Sequence, residues 1–143
     1  MTSQRNVLVL GATGAMGRYL LPILAEQGYR VDGVSLDDAS SGNPNLHYIK
    51  ADARNRDVLR RLLKNRYDGI VDFMIYPTAA LAGTLPFLLD RTDHYIYLSS
   101  YRVYDNKEHP VRESSPRLLD SSDNLVLRNT DDYSIFKARG ENV

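Results

Sequence analysis

The apolar residues of this chain fall in short blocks, and the blocks follow two rhythms. Val7-Leu8-Val9-Leu10 is a continuous apolar run, which reads as a buried parallel strand over residues 5–10. Residues 15–27 follow with helical spacing, and Gly28 supplies a C-terminal cap. Pro22 lies inside that helix and predicts a kink. A second strand is expected over 30–36, ending at Asp37-Asp38, then a loop of Ser, Gly, Asn and Pro over 39–45. Residues 46–50 form the third strand. Residues 57–66 form a helix with Val58, Leu59, Leu62 and Leu63 on one face. A nearly all-apolar fourth strand over 69–75 precedes a helix over 78–89, whose last turn Pro86 disturbs. The fifth strand, 95–98, ends in Ser99-Ser100. Residues 105–124 are polar with two prolines and read as a long excursion. Residues 130–143 return to helical spacing, with Asp131 near the start.

Strands alternating with helices imply βαβ units and a parallel sheet. Right-handed crossovers then place a ligand at the carboxyl ends of the strands. The expected fold is a doubly wound α/β domain with strand order 3-2-1-4-5.

The first strand runs into Gly11-x-x-Gly14-x-x-Gly17 and then a helix. Gly11 permits a tight turn. Gly14 has no side chain, so a pyrophosphate can approach the backbone. Gly17 lets the helix pack close to the strand. Free N–H groups and the positive end of the helix dipole favour a phosphate there.

Composition narrows the function. With 143 residues the chain is one domain's worth, residues 1–143. Lys plus Arg and Asp plus Glu are both 18, so no net charge draws in nucleic acid or an anionic membrane. No apolar run approaches the ~18 residues that span a bilayer, and the polar start does not read as a signal peptide. There is no cysteine, so disulfides, thiolate metal sites and a Cys nucleophile are excluded. His47, His94 and His109 lack ligand spacing, so no metal site is expected. These features fit a cytoplasmic protein. The basic residues Arg54, Arg56, Arg60, Arg61 and Arg66 read as a solvated helix face.

Two further groupings carry chemistry. Tyr133 and Lys137 stand one helical turn apart on one face. A free tyrosine has a pKa of about 10. A neighbouring ammonium favours the phenolate, so the pair can exchange a proton with a hydroxyl. Ser99-Ser100, at the end of the fifth strand, lie where ligands bind; a Ser capping the next turn is the alternative.

Gly11-x-x-Gly14-x-x-Gly17, Ser99-Ser100-x-x-Val103-Tyr104 and Tyr133-x-x-x-Lys137 occur in the order and spacing of the short-chain dehydrogenase/reductases. The chain most resembles their extended branch, the NAD-dependent epimerase/dehydratases acting on nucleotide sugars. Glu113 and Glu141 match that branch too, and the resemblance covers essentially the whole chain. It implies a Rossmann-like, three-layer αβα fold. It implies Tyr133 as acid/base and Lys137 as its partner and holder of the nicotinamide ribose. It implies Ser100 as the catalytic serine, with Ser99 a backbone neighbour. Gly11, Ala12, Thr13, Gly14, Ala15, Met16 and Gly17 would line the pyrophosphate, and Asp52 and Ala53 would hold the adenine.

The family's acidic residue after the second strand falls near Ser35, whereas the nearest downstream carboxylate is Asp37. Asp37 is therefore the candidate ribose ligand, with NAD the expected cofactor and NADP the alternative. Phe73-Met74-Ile75-Tyr76 is bulkier than the family's usual residues there. That stretch resembles atypical relatives that bind a dinucleotide or RNA without catalysis. The family's substrate lobe after the Tyr/Lys helix has no counterpart here, so a truncated nucleotide-binding portion, inactive alone, is expected. The implied reaction is hydride transfer on a nucleotide sugar or related alcohol, an epimerase or dehydratase chemistry. A small-molecule substrate, no nucleic acid, no membrane and a homodimer are the expected partners.

Overall fold

A computed structural model describes residues 4–143. The chain divides into two compact units, residues 1–75 with 86–98, and residues 76–85 with 99–143.

The first unit is built on five parallel strands: β1 (Asn6–Leu10), β2 (Arg30–Ser35), β3 (Leu46–Lys50), β4 (Tyr67–Asp72) and β5 (Thr92–Tyr97). Their order is β3-β2-β1-β4-β5, as the alternation of elements predicts. β1 is the central strand, pairing Val9 with Gly33 on one side and with Val71 on the other. Its side chains alternate between two cores. Val7 and Val9 join Leu21 and Ala25 of helix α1 (Gly17–Glu26), together with Val31 and Val71. Leu8 and Leu10 join Leu59 of helix α2 (Arg56–Leu62), Leu63, Ile70 and Leu88. Leu88 comes from the end of helix α3 (Thr78–Leu89). β1 is thus covered on both faces, which is why it reads as an unbroken apolar run.

Several boundaries differ from the expected ones for identifiable reasons. α1 starts at Gly17 rather than residue 15, because Gly14 N–H bonds back to Gly11 O at 3.2 Å and extends the turn. α1 ends as expected at Gly28, whose φ is +88°. Tyr29 N–H reaches Leu24 O and Gly28 N–H reaches Ala25 O, at 3.1 Å each, satisfying two final carbonyls. α2 starts one residue early because Asn55 Oδ1 accepts from the Asp57 and Val58 N–H groups. β4 stops at Asp72, not residue 75. The Asp72 carboxylate, fully buried, accepts from Met74 N–H at 2.9 Å and from Tyr95 Oη at 2.8 Å, which turns the chain out of the ladder.

The second unit contains the first part of α3, a 3-10 turn at Tyr101–Val103, and helices α4 (Leu118–Ser121), α5 (Leu125–Arg128) and α6 (Tyr133–Glu141). The polar stretch 105–124 is not wholly irregular, since it holds α4 and a bridge between Tyr104 and Arg117. The Asp105 carboxyl accepts from Lys107 at 3.0 Å and from Ser121 at 2.9 Å, which holds it below the usual carboxylate range. α6 is shorter than the expected 130–143 and packs on both α4 and the 3-10 turn. Among the described residues, no helix is long and apolar enough to cross a membrane.

The glycines divide by what a side chain would meet. A Cβ on Gly17 would stand 2.3 Å from Ala12 O and 2.6 Å from Gly11 O, both backbone. A Cβ on Gly14 would meet only Gly11 O, at 3.3 Å. Gly17→Ala is therefore expected to cost about 1–3 kcal/mol, the usual range for overpacking. Gly14→Ala is expected to stay near the parent stability. Thermal unfolding followed by circular dichroism checks the contrast; equal midpoints for the two variants would contradict it.

Candidate active site

In the first unit the residues implied for a dinucleotide gather at the carboxyl ends of the strands. Val34 O accepts from both Gly11 N–H and Ala12 N–H at 3.0 Å, anchoring the glycine turn to the end of β2. Among the described residues, the N–H groups of Thr13, Ala15 and Met16 meet no protein acceptor. Such donors at a helix start are the usual seat for a phosphate.

Beside the turn lies a cavity of about 240 Å³. Gly11, Asp37, Asp52 and Ala53, four of the expected cofactor residues, line it together with Met74 and Arg54. Asp37, two residues beyond Ser35, is held by local hydrogen bonds. Thr13 Oγ1 donates to Asp37 Oδ2 at 2.5 Å and is itself 2.5 Å from Ser35 Oγ. A threonine hydroxyl has one proton, so Ser35 is the donor to Thr13. Asp37 N–H then returns to Ser35 Oγ at 3.1 Å. This loop of hydrogen bonds holds the Asp37 carboxylate against the glycine turn. Arg54, read from the sequence as part of a solvated face, lines the same cavity. Nothing in its spacing marks it, because only the turn after β3 brings it there: Arg54 N–H bonds Asp52 Oδ1 at 2.9 Å.

In the second unit α6, which carries Tyr133 and Lys137, packs on the 3-10 turn that Ser100 caps. Ser100 Oγ caps that turn, accepting from Arg102 N–H at 3.3 Å, so the capping alternative holds; its own O–H is not used by that bond. Lys137 is only 2% exposed, and its Nζ lies 6.0 Å from the centroid of the Tyr133 ring. The Tyr133 ring meets Phe136 edge-on at 5.5 Å. A residue the sequence does not single out, Arg102, places its guanidinium carbon 5.6 Å from the same ring.

Polar bonds hold α6 at both ends. Its cap is Asp132, whose Oδ1 accepts from Ser134 N–H at 3.0 Å and from Ser134 Oγ at 2.5 Å. These bonds hold the Asp132 carboxyl below its ordinary range. At the other end Glu141 accepts from Ser99 Oγ and pairs with Arg117 at 2.9 Å. Ser99 is thus a tether as well as a neighbour. Arg117 also donates to Asp120 at 2.7 Å; Asp120 first, then Glu141, raises the guanidinium above its ordinary value.

A family model described as the NAD dependent epimerase/dehydratase family matches residues 7–143. Similar solved structures include the epimerase Mth375 of Methanothermobacter thermautotrophicus. It is 22% identical at a TM-score of 0.74, covering 97% of this chain and 46% of that one. The Bordetella bronchiseptica enzyme WbmH, solved with NAD+, is 18% identical at 0.69, covering 97% and 51%. The dTDP-glucose 4,6-dehydratase of Bacillus anthracis, solved with NAD, is 18% identical at 0.67, covering 96% and 48%. The chain therefore spans about half the length of the solved structures it matches. No curated protein sequence matches it.

The cap yields a test of how α6 is held. Asp132→Ala is expected to cost about 0.5–2 kcal/mol and to fray the first turn of α6. The carboxylate is the stabilised form, so its contribution is present above the ordinary aspartate value of about 4. It is lost as pH falls through the lower folded value. Hydrogen exchange at Ser134 to Phe136 reads it: protection should fall in the variant and, for the parent, at acid pH.

Proposed function

The chain belongs to the NAD dependent epimerase/dehydratase family, and we propose that it binds NAD and carries the acid–base residues of an oxidoreductase acting on a nucleotide sugar or related alcohol. The observation that carries the reading is the open set of Thr13, Ala15 and Met16 N–H groups beside the cavity of Asp37, Asp52 and Ala53. The turn supplies donors for two phosphates, and Gly14 leaves the space beside them free. The Asp37 carboxylate has one oxygen spent on Thr13, leaving the other for a ribose hydroxyl. It would repel a 2′-phosphate, which favours NAD over NADP.

When bound, NAD supplies the hydride acceptor. The chain's own residues manage the proton. Tyr133 exchanges it with the substrate hydroxyl through its phenol oxygen. Lys137, one turn further along the helix and buried, sets its ammonium 6.0 Å from the centre of that ring. The unused hydroxyl proton of Ser100 is available to the substrate oxygen. Mth375 is named an epimerase and the Bacillus anthracis protein a dTDP-glucose dehydratase, which supports the substrate class.

Calorimetry of this chain with NAD and NADP tests the cofactor. Saturable binding of NAD is expected, abolished in Gly14→Val. Asp37→Ala should narrow the preference for NAD by about 10- to 100-fold, the size of a hydrogen bond to a charged group. Absence of NAD binding by the parent would refute the reading. In a protein that includes the whole chain, Tyr133→Phe should keep NAD affinity. Its turnover of nucleotide sugar should fall by about 10² or more. Unchanged turnover would remove Tyr133 from the chemistry.

A further inference from the structure

Lys137, on the same helix, sets one cation 6.0 Å from the centre of the Tyr133 ring. The structure places a second one there. Arg102, on the 3-10 turn, holds its guanidinium carbon 5.6 Å from the centroid of the Tyr133 ring. Its backbone N–H is spent on Ser100 Oγ, while the side chain is exposed. Among the described residues no carboxylate comes within ion-pairing distance of this guanidinium. Asp132 feels its charge but is committed to the N–H and hydroxyl of Ser134. Arg117 and Arg139 in the same unit differ. Arg117 is paired with Asp120 and Glu141, and Arg139 with Asp131. Those two arginines hold helices in place. Arg102 is held by a ring face and a turn, with its five N–H donors left for another partner.

We propose that Arg102 receives an anionic group of the substrate close to the hydroxyl that exchanges its proton with Tyr133, so that the sugar itself bears a carboxylate or a phosphate near its reacting hydroxyl. The inference rests on the role proposed above for Tyr133. A planar guanidinium fork matches a carboxylate or a phosphate with two parallel hydrogen bonds. The shared chemistry has two sources, a sugar acid or a sugar phosphate.

The test uses this chain labelled with 15N-arginine. The Nε–H resonance of Arg102 is identified by its loss in Arg102→Lys. Glucuronate, glucose 6-phosphate and glucose are titrated against it, with acetate and inorganic phosphate as anions lacking the sugar. Saturable shifts of this resonance are expected with one of the two acidic sugars, at least tenfold tighter than with glucose. Binding followed on the remaining resonances should be lost in Arg102→Gln and partly kept in Arg102→Lys. A response to glucuronate alone identifies a carboxylate; a response to glucose 6-phosphate alone identifies a phosphate. Equal affinity for glucose, equal affinity for the sugar-free anions, or binding unchanged in Arg102→Gln would overturn the proposal. Tyr133→Phe should leave these titrations intact. Loss of the acid–base assignment would thus appear in turnover, and loss of the anion site would appear here.

Discussion

One carbonyl oxygen, that of Val34, accepts hydrogen bonds from two consecutive amides, Gly11 and Ala12. The carboxyl edge of the sheet in the first unit depends on this junction. It pins the glycine turn to the end of β2, and the close approach of α1 then follows. Gly17 has backbone oxygens where a side chain would begin, and Gly33 has Leu21 of α1 in the same relation. With those amides spent on Val34, the donors that stay open are the ones further along the turn. The division of labour among neighbouring amides is set by topology, because β1 and β2 are adjacent parallel strands ending at the same edge.

The second unit relies on a different kind of restraint. α6 carries Tyr133 and is tied at its start by Asp132 and at its end by Glu141, with Ser99 and Arg117 as partners. Ile135 and Ala138 supply its buried apolar contacts. A helix of nine residues is marginal without tertiary support. Charge-assisted bonds at both termini compensate for its modest apolar face.

How much of this was legible in the sequence depended on the range of the interaction responsible. The sheet order and the alternation of elements follow from hydrophobic rhythm and crossover handedness, both visible along the chain. The end of β4 was misjudged because Phe73, Met74 and Ile75 continue the apolar run, while the buried Asp72 that ends pairing looks like any polar residue. α6 starts at Tyr133, three residues after the expected position, because helical spacing does not reveal that the Asp132 side chain caps the helix there. Tyr133 and Lys137 were legible as a local pair. Arg102, Arg54 and the Ser35–Thr13–Asp37 loop were not, because each depends on contacts that only the folded chain creates.

The strictly apolar interior of β1 has a consequence for how its alignment is encoded. A strand with one wet face reports a one-residue slip by exposing oily side chains. β1 has no wet face, so polarity is silent about its alignment. Side-chain volume carries the message instead. The two valines point to the side where α1 is drawn in by Gly17 and Gly33, and the two leucines point to the side of α2 and α3. Sliding the strand by one position would set leucine where valine meets α1 and valine where leucine meets α2 and α3. The chain thus writes the alignment of its central strand in steric bulk, a code that a hydropathy profile does not register.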